Sequence, residues 1–458
     1  MRKLPVRHAL MAALATVSLL ATGCSAETPS TPVAVSVDRT GPADSATPDP
    51  SPSRQLAVTA APEGQASAVA RAGSDGKAKK SPLKVASYDH NSRRAVISST
   101  RTSPSPTAPA KDTPAVGDII ASGPAPGAPD GLLAKVTDVA GTTAKGTEVR
   151  TAPTTLGALL RDDKADGTVP VDPATVDVEP LVQGVKVSWA KAGNIHVGPQ
   201  GAKVPLGSLR IDVGASAPLP VSEGSPVSGG ASVAGFVQLA PEVEFSYDGS
   251  SAFTPDSAFL GLTGEWTSKW QLKGRAAANV KPVRIPFAKL HADPVIQVGP
   301  VPVVVNLDLT AYAQVAADGS VTLDVKQNLK GGFRLGGSYT KAGGWKPVST
   351  SDISGTPVQA KVTAAGRVRA ALGAEASVGL YGAVGVTADL APYVRGEVAA
   401  SATPSSATAA WKLFGGVDLS GWLQLQLSIF GTPVFEHRIP LGSLHREWTL
   451  AQGEASVA

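Results

Sequence analysis

Residues whose side chains do chemistry are sparse in this 458-residue chain. Glu242 and Glu244 are separated by one residue in the segment PEVEFSY, so a strand would place both carboxylates on one face, about 7 Å apart. A glycosidase uses two carboxyl groups about 5–9.5 Å apart. Because Val243, Phe245 and Tyr247 alternate with the glutamates, this face is the polar one. We therefore favour a solvated pair over a catalytic one.

The histidines give no stronger signal. His437 and His445 lie eight residues apart around a proline, and we expect them at a surface or strand edge rather than on a metal, because metal sites recruit several ligands at set intervals. No G-x-S-x-G, H-E-x-x-H, P-loop, dinucleotide-binding or EF-hand pattern occurs. We therefore expect no catalytic residue, no metal site and no cofactor. An active site assembled from distant strands stays open.

Tryptophan is the remaining residue type with a chemical use. Trp266 and Trp270 share one face of a strand because they are four residues apart. Tryptophans can form a carbohydrate platform, but in a chain with 5% aromatic residues we favour core anchors. The seven tryptophans are Trp189, Trp266, Trp270, Trp345, Trp411, Trp422 and Trp448.

The only cysteine, Cys24, follows a sequence typical of an export signal. Arg2, Lys3 and Arg7 precede an apolar run over residues 9–20, and small residues follow it. This run is too short for a transmembrane helix, which needs about 20 strongly apolar residues.

The segment Leu20-Ala21-Thr22-Gly23-Cys24 resembles the lipobox of bacterial lipoproteins, with Ala21 where that family most often has leucine. In that family the cysteine receives diacylglycerol and becomes the first residue after cleavage. The resemblance implies a signal peptide over residues 1–23, lipidation of Cys24 and anchoring at the extracytoplasmic face of the cell membrane. The small-residue composition also resembles that of actinobacterial lipoproteins. No thiol would then remain for a disulfide, metal site or nucleophile.

Net charge argues against nucleic acid as a partner. Without residues 1–23, Lys plus Arg falls from 41 to 38 against 37 Asp plus Glu, which leaves about +1. A nucleic-acid-binding surface needs clustered basic residues. One small basic cluster, comprising Lys77, Lys79, Lys80 and Lys84, is interpreted as solvated rather than bound to lipid headgroups.

Composition divides the chain into segments. We expect a disordered Pro/Ser/Thr/Ala tether at 24–81, a hairpin and linker at 82–115, a small β-rich module at 116–180, a large antiparallel β body at 181–450 and a disordered tail at 451–458. The body is predicted to be a β-sandwich or a barrel, because apolar and polar residues alternate along long runs.

One such run indicates a hairpin. Leu309, Ala311, Ala313 and Val315 alternate with polar residues before Ala317-Asp318-Gly319. A three-residue loop there would pair Val315 with Val321 and keep one apolar face. We therefore predict antiparallel pairing across this turn.

Three octamers resemble one another: KVPLGSLR from Lys203, RIPFAKLH from Arg284 and RIPLGSLH from Arg438. A proline within a strand indicates an edge or corner. We favour equivalent corners, and a shared ligand-binding motif stays an alternative.

Three classes of function remain. The leading hypothesis is a lipid-anchored envelope protein with a non-catalytic binding or scaffolding role, whose partners are the membrane and cell-wall components. The second is a carrier of a lipid or other apolar ligand, since faces of Val, Ala and Gly leave space between β layers. The third is an envelope hydrolase. A pore-forming barrel fits two-faced strands too, but the lipobox argues against it.

Overall fold

The computed structural model describes the following residues: 54–61, 69–72, 77–99, 113–172, 175–190, 196–198, 201–203, 208–219, 229–249, 254–276, 280–319, 321–355, 359–363, 366–403, 406–423, 429–431, 439–440 and 444–457. Within them the chain forms 27 strands and one four-residue helix. The predicted all-β class is therefore confirmed.

In chain order the elements are β1 (Gln55–Ala60), β2 (Val69–Ala72), β3 (Ala78–Ser81), β4 (Leu83–Asp89), β5 (Arg94–Ser99), β6 (Ile119–Ser122), β7 (Leu132–Thr143), β8 (Gly146–Pro153), α1 (Gly157–Leu160), β9 (Lys164–Pro170), β10 (Asp177–Pro180), β11 (Val185–Ala190), β12 (His196–Gly198), β13 (Gly201–Lys203), β14 (Ser208–Leu219), β15 (Gly229–Gly249), β16 (Pro255–Ala276), β17 (Val280–Ala292), β18 (Val295–Val298), β19 (Val301–Gly319), β20 (Val321–Thr340), β21 (Gly344–Gly355), β22 (Gln359–Thr363), β23 (Gly366–Leu380), β24 (Ala383–Thr403), β25 (Ser406–Leu423), β26 (Ile439–Pro440) and β27 (Leu444–Val457).

A smaller sheet has seven strands in the order β3-β2-β6-β7-β8-β5-β4. Its apolar residues alternate along the strands, and one face packs into a core that includes Val85, Ile97 and Val149. The turn between β4 and β5 is held by Asp89, which accepts hydrogen bonds from the Asn91 backbone N–H and the Ser92 hydroxyl.

The larger assembly contains two sheets of long antiparallel strands. The first sheet runs β11-β14-β15-β16-β20, with β21 and β22 along β20. The second sheet runs β10-β17-β19-β23-β24-β25, with β26 and β27 along β25. At about 3.3 Å per residue, the 22 residues of β16 extend roughly 70 Å. The space between the sheets is correspondingly elongated.

Short strands connect the two sheets along one side. β15 pairs with β9, β9 pairs in parallel with β1, β1 pairs with β18, and β18 pairs with β19. The result is a large, nearly closed, barrel-like sheet. The predicted sandwich or barrel-like body is confirmed.

The alternation in β19 correctly indicates its buried face. Ala311, Ala313 and Val315 are buried in the barrel, as the period of two requires. Tyr312 differs from expectation, because it is also buried although it points to the opposite face.

The predicted hairpin between β19 and β20 is wrong. β19 pairs with β17 and β23, whereas β20 pairs with β16, β21 and β22. Val315 therefore lies opposite Val283 and Ala370, not Val321. The physical reason is that the chain crosses here from the second sheet to the first, and an alternating pattern indicates a face but not a partner strand.

Strands also occur where composition predicted none. β1, β2 and β3 lie within the segment predicted as a tether, and the part of β27 beyond Leu450 lies within the predicted tail. The tether and tail predictions do not hold for these stretches, because ladder hydrogen bonds to neighbouring strands order them. β9 and β10, which fall inside the predicted module at 116–180, pair with barrel strands.

Candidate functional site

The main candidate site is a cavity inside the barrel, between the two sheets. The centre of a water-sized sphere can occupy about 90 Å³ of this first cavity. By the same measure one water molecule needs ~10–15 Å³, so the cavity has room for several. It is lined by Ile211, Val237, Leu239, Trp266, Ser268, Phe287, Leu309, Ala311, Phe333, Leu335, Leu372, Gly373, Ala374, Ala376, Ala388, Leu390 and Pro392. The lining is therefore almost entirely apolar and comes from eight strands of both sheets.

A second cavity of similar size, about 90 Å³, adjoins the first. The residues that line both are Leu239, Leu309, Phe333, Leu335 and Ala376. Because they share these walls, the two cavities are neighbours, and together they are called the lumen here. His291 and Asp308 are the ionisable residues along the described wall of the second cavity.

Small side chains on the second sheet create this space. Ala376 and Ala388 face large residues of the first sheet, and Ala388 packs in one cluster with Leu335 and Leu419. Where the facing residues are small, two sheets about 10 Å apart cannot fill the volume between them. Cavities lined by apolar side chains can take up apolar molecules.

A row of buried polar atoms runs along β16, and two of its residues, Trp266 and Ser268, line the first cavity. Trp266, Ser268 and Trp270 lie at alternate positions of β16, and their exposed fractions are 5%, 4% and 3%. Trp266 Nε1, Ser268 Oγ and Trp270 Nε1 have no hydrogen-bond partner among the described residues. Gln327 lies directly opposite Trp270 on β20, and its Oε1 atom likewise has no described partner. Buried polar atoms are rarely left unpaired in native structures.

Trp266 and Trp270 are thus core residues, which agrees with our preferred interpretation. Trp345 is also buried, whereas Trp411, Trp422 and Trp448 are 38–48% exposed. The side chain of Trp189 lies outside the described residues. Sequence reasoning missed Ser268, although the segment WTSKW places a serine on the same face as the two tryptophans.

Glu242 and Glu244 have separate surroundings. Glu244 accepts two hydrogen bonds from Arg334, both 2.7 Å long. That arginine also covers the Phe259 ring at 4.2 Å from its centroid. Glu242 lines a separate open depression on the outer surface together with Glu265. One carboxylate is therefore held in an ion pair, and neither lines the lumen.

Further polar clusters on the outer face stabilise the second sheet. Arg284 lies 3.5 Å from the Tyr312 ring centroid, and the Tyr312 hydroxyl donates a 2.5 Å hydrogen bond to Asp389. Burial, with a smaller contribution from this hydrogen bond, raises the pKa of Tyr312. Burial also raises the pKa of Asp389. The cation covers an outward-facing ring, which explains why Tyr312 is buried.

An equivalent cluster surrounds Tyr393. Arg369 lies 4.1 Å from its ring centroid, and its hydroxyl donates a 2.9 Å hydrogen bond to Glu447. Glu447 also accepts from Arg395, and this contact lowers the pKa of Glu447. His445 is one of the two histidines considered in the sequence analysis. Its Nδ1 atom lies 2.6 Å from Asp418 Oδ1, and its side chain is largely exposed. These groups are paired with one another and lie away from the lumen.

Only some residues of the other sites considered in the sequence analysis lie within the described part of the chain. Cys24 and His437 lie outside the described residues, as do residues 204–207 of the first octamer and residues 438 and 441–443 of the one from Arg438. The third octamer, from Arg284, lies within β17. In the basic cluster, Lys77 is buried. Its Nζ atom lies 3.7 Å from Asp162 Oδ2 and 3.8 Å from Asp163 Oδ1. The interpretation of that cluster as solvated is therefore wrong for Lys77.

Within the described part of the chain, no group of three or more His, Cys, Asp or Glu side chains is placed to hold a metal ion. None of the helices there is long and apolar enough to cross a membrane. Comparison with protein-family models, with curated proteins and with solved structures finds no match to this chain.

Proposed function

We propose that this protein binds an apolar ligand in its lumen and carries it at the extracytoplasmic face of the cell membrane. The observation that supports this is the pair of adjoining apolar cavities between the sheets. Ligand sites are typically concave, mostly apolar and equipped with a few polar groups. A purely scaffolding protein gains no stability from such a space, because unfilled volume in a core is destabilising.

The anchoring part of the proposal rests on the sequence. The lipobox-like segment ending in Cys24 supports attachment through diacylglycerol, and two acyl chains suffice for stable membrane association. A carrier held there would be close to the bilayer from which an apolar ligand is drawn. Cell-wall components are an additional proposed partner.

A carrier fits the first cavity better than a hydrolase does. General acid–base catalysis needs a titratable group within hydrogen-bond reach of the substrate. No ionisable side chain is among the described residues lining the first cavity. The ionisable clusters on the outer face are instead engaged in ion pairs.

Filling the lumen tests the proposal. Ala376 lines both cavities, so Ala376→Leu should occupy shared space and weaken binding of the apolar fluorophore N-phenyl-1-naphthylamine to the full chain. Ala399→Leu, at an exposed position of β24, is the matched control. We expect the control to bind the fluorophore like the unmodified protein.

Two results would contradict the proposal. One is a failure of the unmodified protein to bind the fluorophore at all. The other is equal binding by the Ala376→Leu and Ala399→Leu variants, which would place the fluorophore outside the lumen.

A further inference from the structure

Building on the proposed function, we infer that the ligand is a neutral acyl ester whose ester oxygens accept hydrogen bonds from Trp266 and Ser268. The alkyl part of such a molecule matches the apolar walls, and the ester matches the unpaired polar atoms of β16. Both residues line the first cavity and are at least nine-tenths buried.

The type of polar atom determines what the ligand must offer. An indole N–H only donates, and a serine hydroxyl can both donate and accept. Neither Trp266 Nε1 nor Ser268 Oγ has a partner in the described part of the chain. Leaving a buried donor unpaired is unfavourable, so the occupant is expected to supply an acceptor. A plain hydrocarbon has none.

The described wall of the first cavity carries no charged side chain, which indicates that the ligand is neutral. Its lining includes no cationic side chain that would neutralise a carboxylate or a phosphate. Burying an uncompensated charge costs far more than burying a neutral ester. A neutral carbonyl acceptor therefore fits, whereas a fatty-acid anion or a phospholipid headgroup does not.

Trp270 and Gln327 extend the polar row along the same two strands. Neither lines the described cavities. Trp266 and Ser268 are therefore the two residues proposed to bind the ester.

The experiment measures displacement of N-phenyl-1-naphthylamine from the full chain by methyl dodecanoate, dodecane and sodium dodecanoate at about pH 8. Trp266→Phe keeps a ring but removes the N–H, and Ser268→Ala removes the hydroxyl. We expect each substitution to weaken methyl dodecanoate binding by about three- to tenfold and to leave dodecane binding unchanged. Sodium dodecanoate should displace the fluorophore least. Trp422→Phe, at a 48% exposed position, is the control and should change nothing.

Three results would overturn the inference. Equal weakening of ester and dodecane would assign both side chains a packing role. No change for either ligand would mean that water alone pairs the two polar atoms. Tighter binding of sodium dodecanoate than of the ester would contradict a neutral ligand. Failure of the proposed function is distinguishable, because the fluorophore would then not bind to the unmodified protein.

Discussion

Tyr393 and Gly416 face each other across β24 and β25 on the outer side of the second sheet. A Cβ atom on Gly416 would overlap the Cζ atom of Tyr393. Tyr312 and Gly373 repeat this arrangement across β19 and β23. In both pairs an aromatic ring lies over a glycine and beneath an arginine, so the outer face of this sheet carries its own packed layer.

The Tyr393–Gly416 pair makes a direct prediction about stability. Gly416→Ala should lower the free energy of unfolding by about 1–3 kcal/mol, because the added methyl group displaces the ring. Gly214→Ala is the control, since its Cβ would meet only the Gly184 carbonyl oxygen, at 3.5 Å. Urea unfolding of both variants measures the difference. Equal stabilities would show that the ring moves at no cost.

His291 makes stability depend on pH. The hydrogen bond to Asp308 and the nearby charge of Asp293 raise the pKa of His291 above its usual value. Protonation therefore favours the fold: the contribution is complete below about pH 6.5 and is lost as pH rises through the higher pKa of the folded state. The contribution is small, because the side chain is about half exposed.

The measurement is the difference in free energy of unfolding between the unmodified protein and His291→Gln, from about pH 5.5 to 9. We expect this difference to shrink as pH rises. Asp308→Asn removes the main cause of the raised pKa of His291. When His291→Gln is made in the Asp308→Asn variant, its effect on the free energy of unfolding should therefore depend less on pH. Parallel stability curves for the unmodified protein and His291→Gln would contradict this account.

The proposed lipid anchor at Cys24 leads to a separate prediction. Cys24→Ala should block lipidation, so the chain is released from the membrane or accumulates as an uncleaved precursor. Membrane fractionation and the mass of the N-terminal peptide measure the outcome, with Ser25→Ala as the matched control. Unchanged membrane retention and unchanged processing of Cys24→Ala would contradict a lipoprotein anchor.

The sequence predicts which face of a strand is buried far better than it predicts which strands pair with each other. Ala311, Ala313 and Val315 are buried as their spacing indicates, because side chains alternate along any strand. Their partner strands were mispredicted, since β19 and the next strand belong to different sheets. Pairing between distant strands depends on the whole barrel, and a local pattern carries no information about it.

In the candidate site, too, the sequence indicates which residues are buried but not which residues of other strands they meet. The spacing of Trp266 and Trp270 correctly places both in the core. Nothing local indicates that Ala376 and Ala388, on other strands, leave a cavity beside Trp266. The lumen arises from pairs of small and large residues that meet only when the two sheets face each other.

If the lumen holds a ligand, the lipid content of the purified protein shows it. The full chain would be purified from the membranes of cells that produce it, extracted with organic solvent and analysed by mass spectrometry, beside the Ala376→Leu variant. We expect close to one neutral acyl lipid per chain beyond the covalent anchor, and a clear loss of it in the variant. An extract without any lipid beyond the anchor would contradict the proposed carrier.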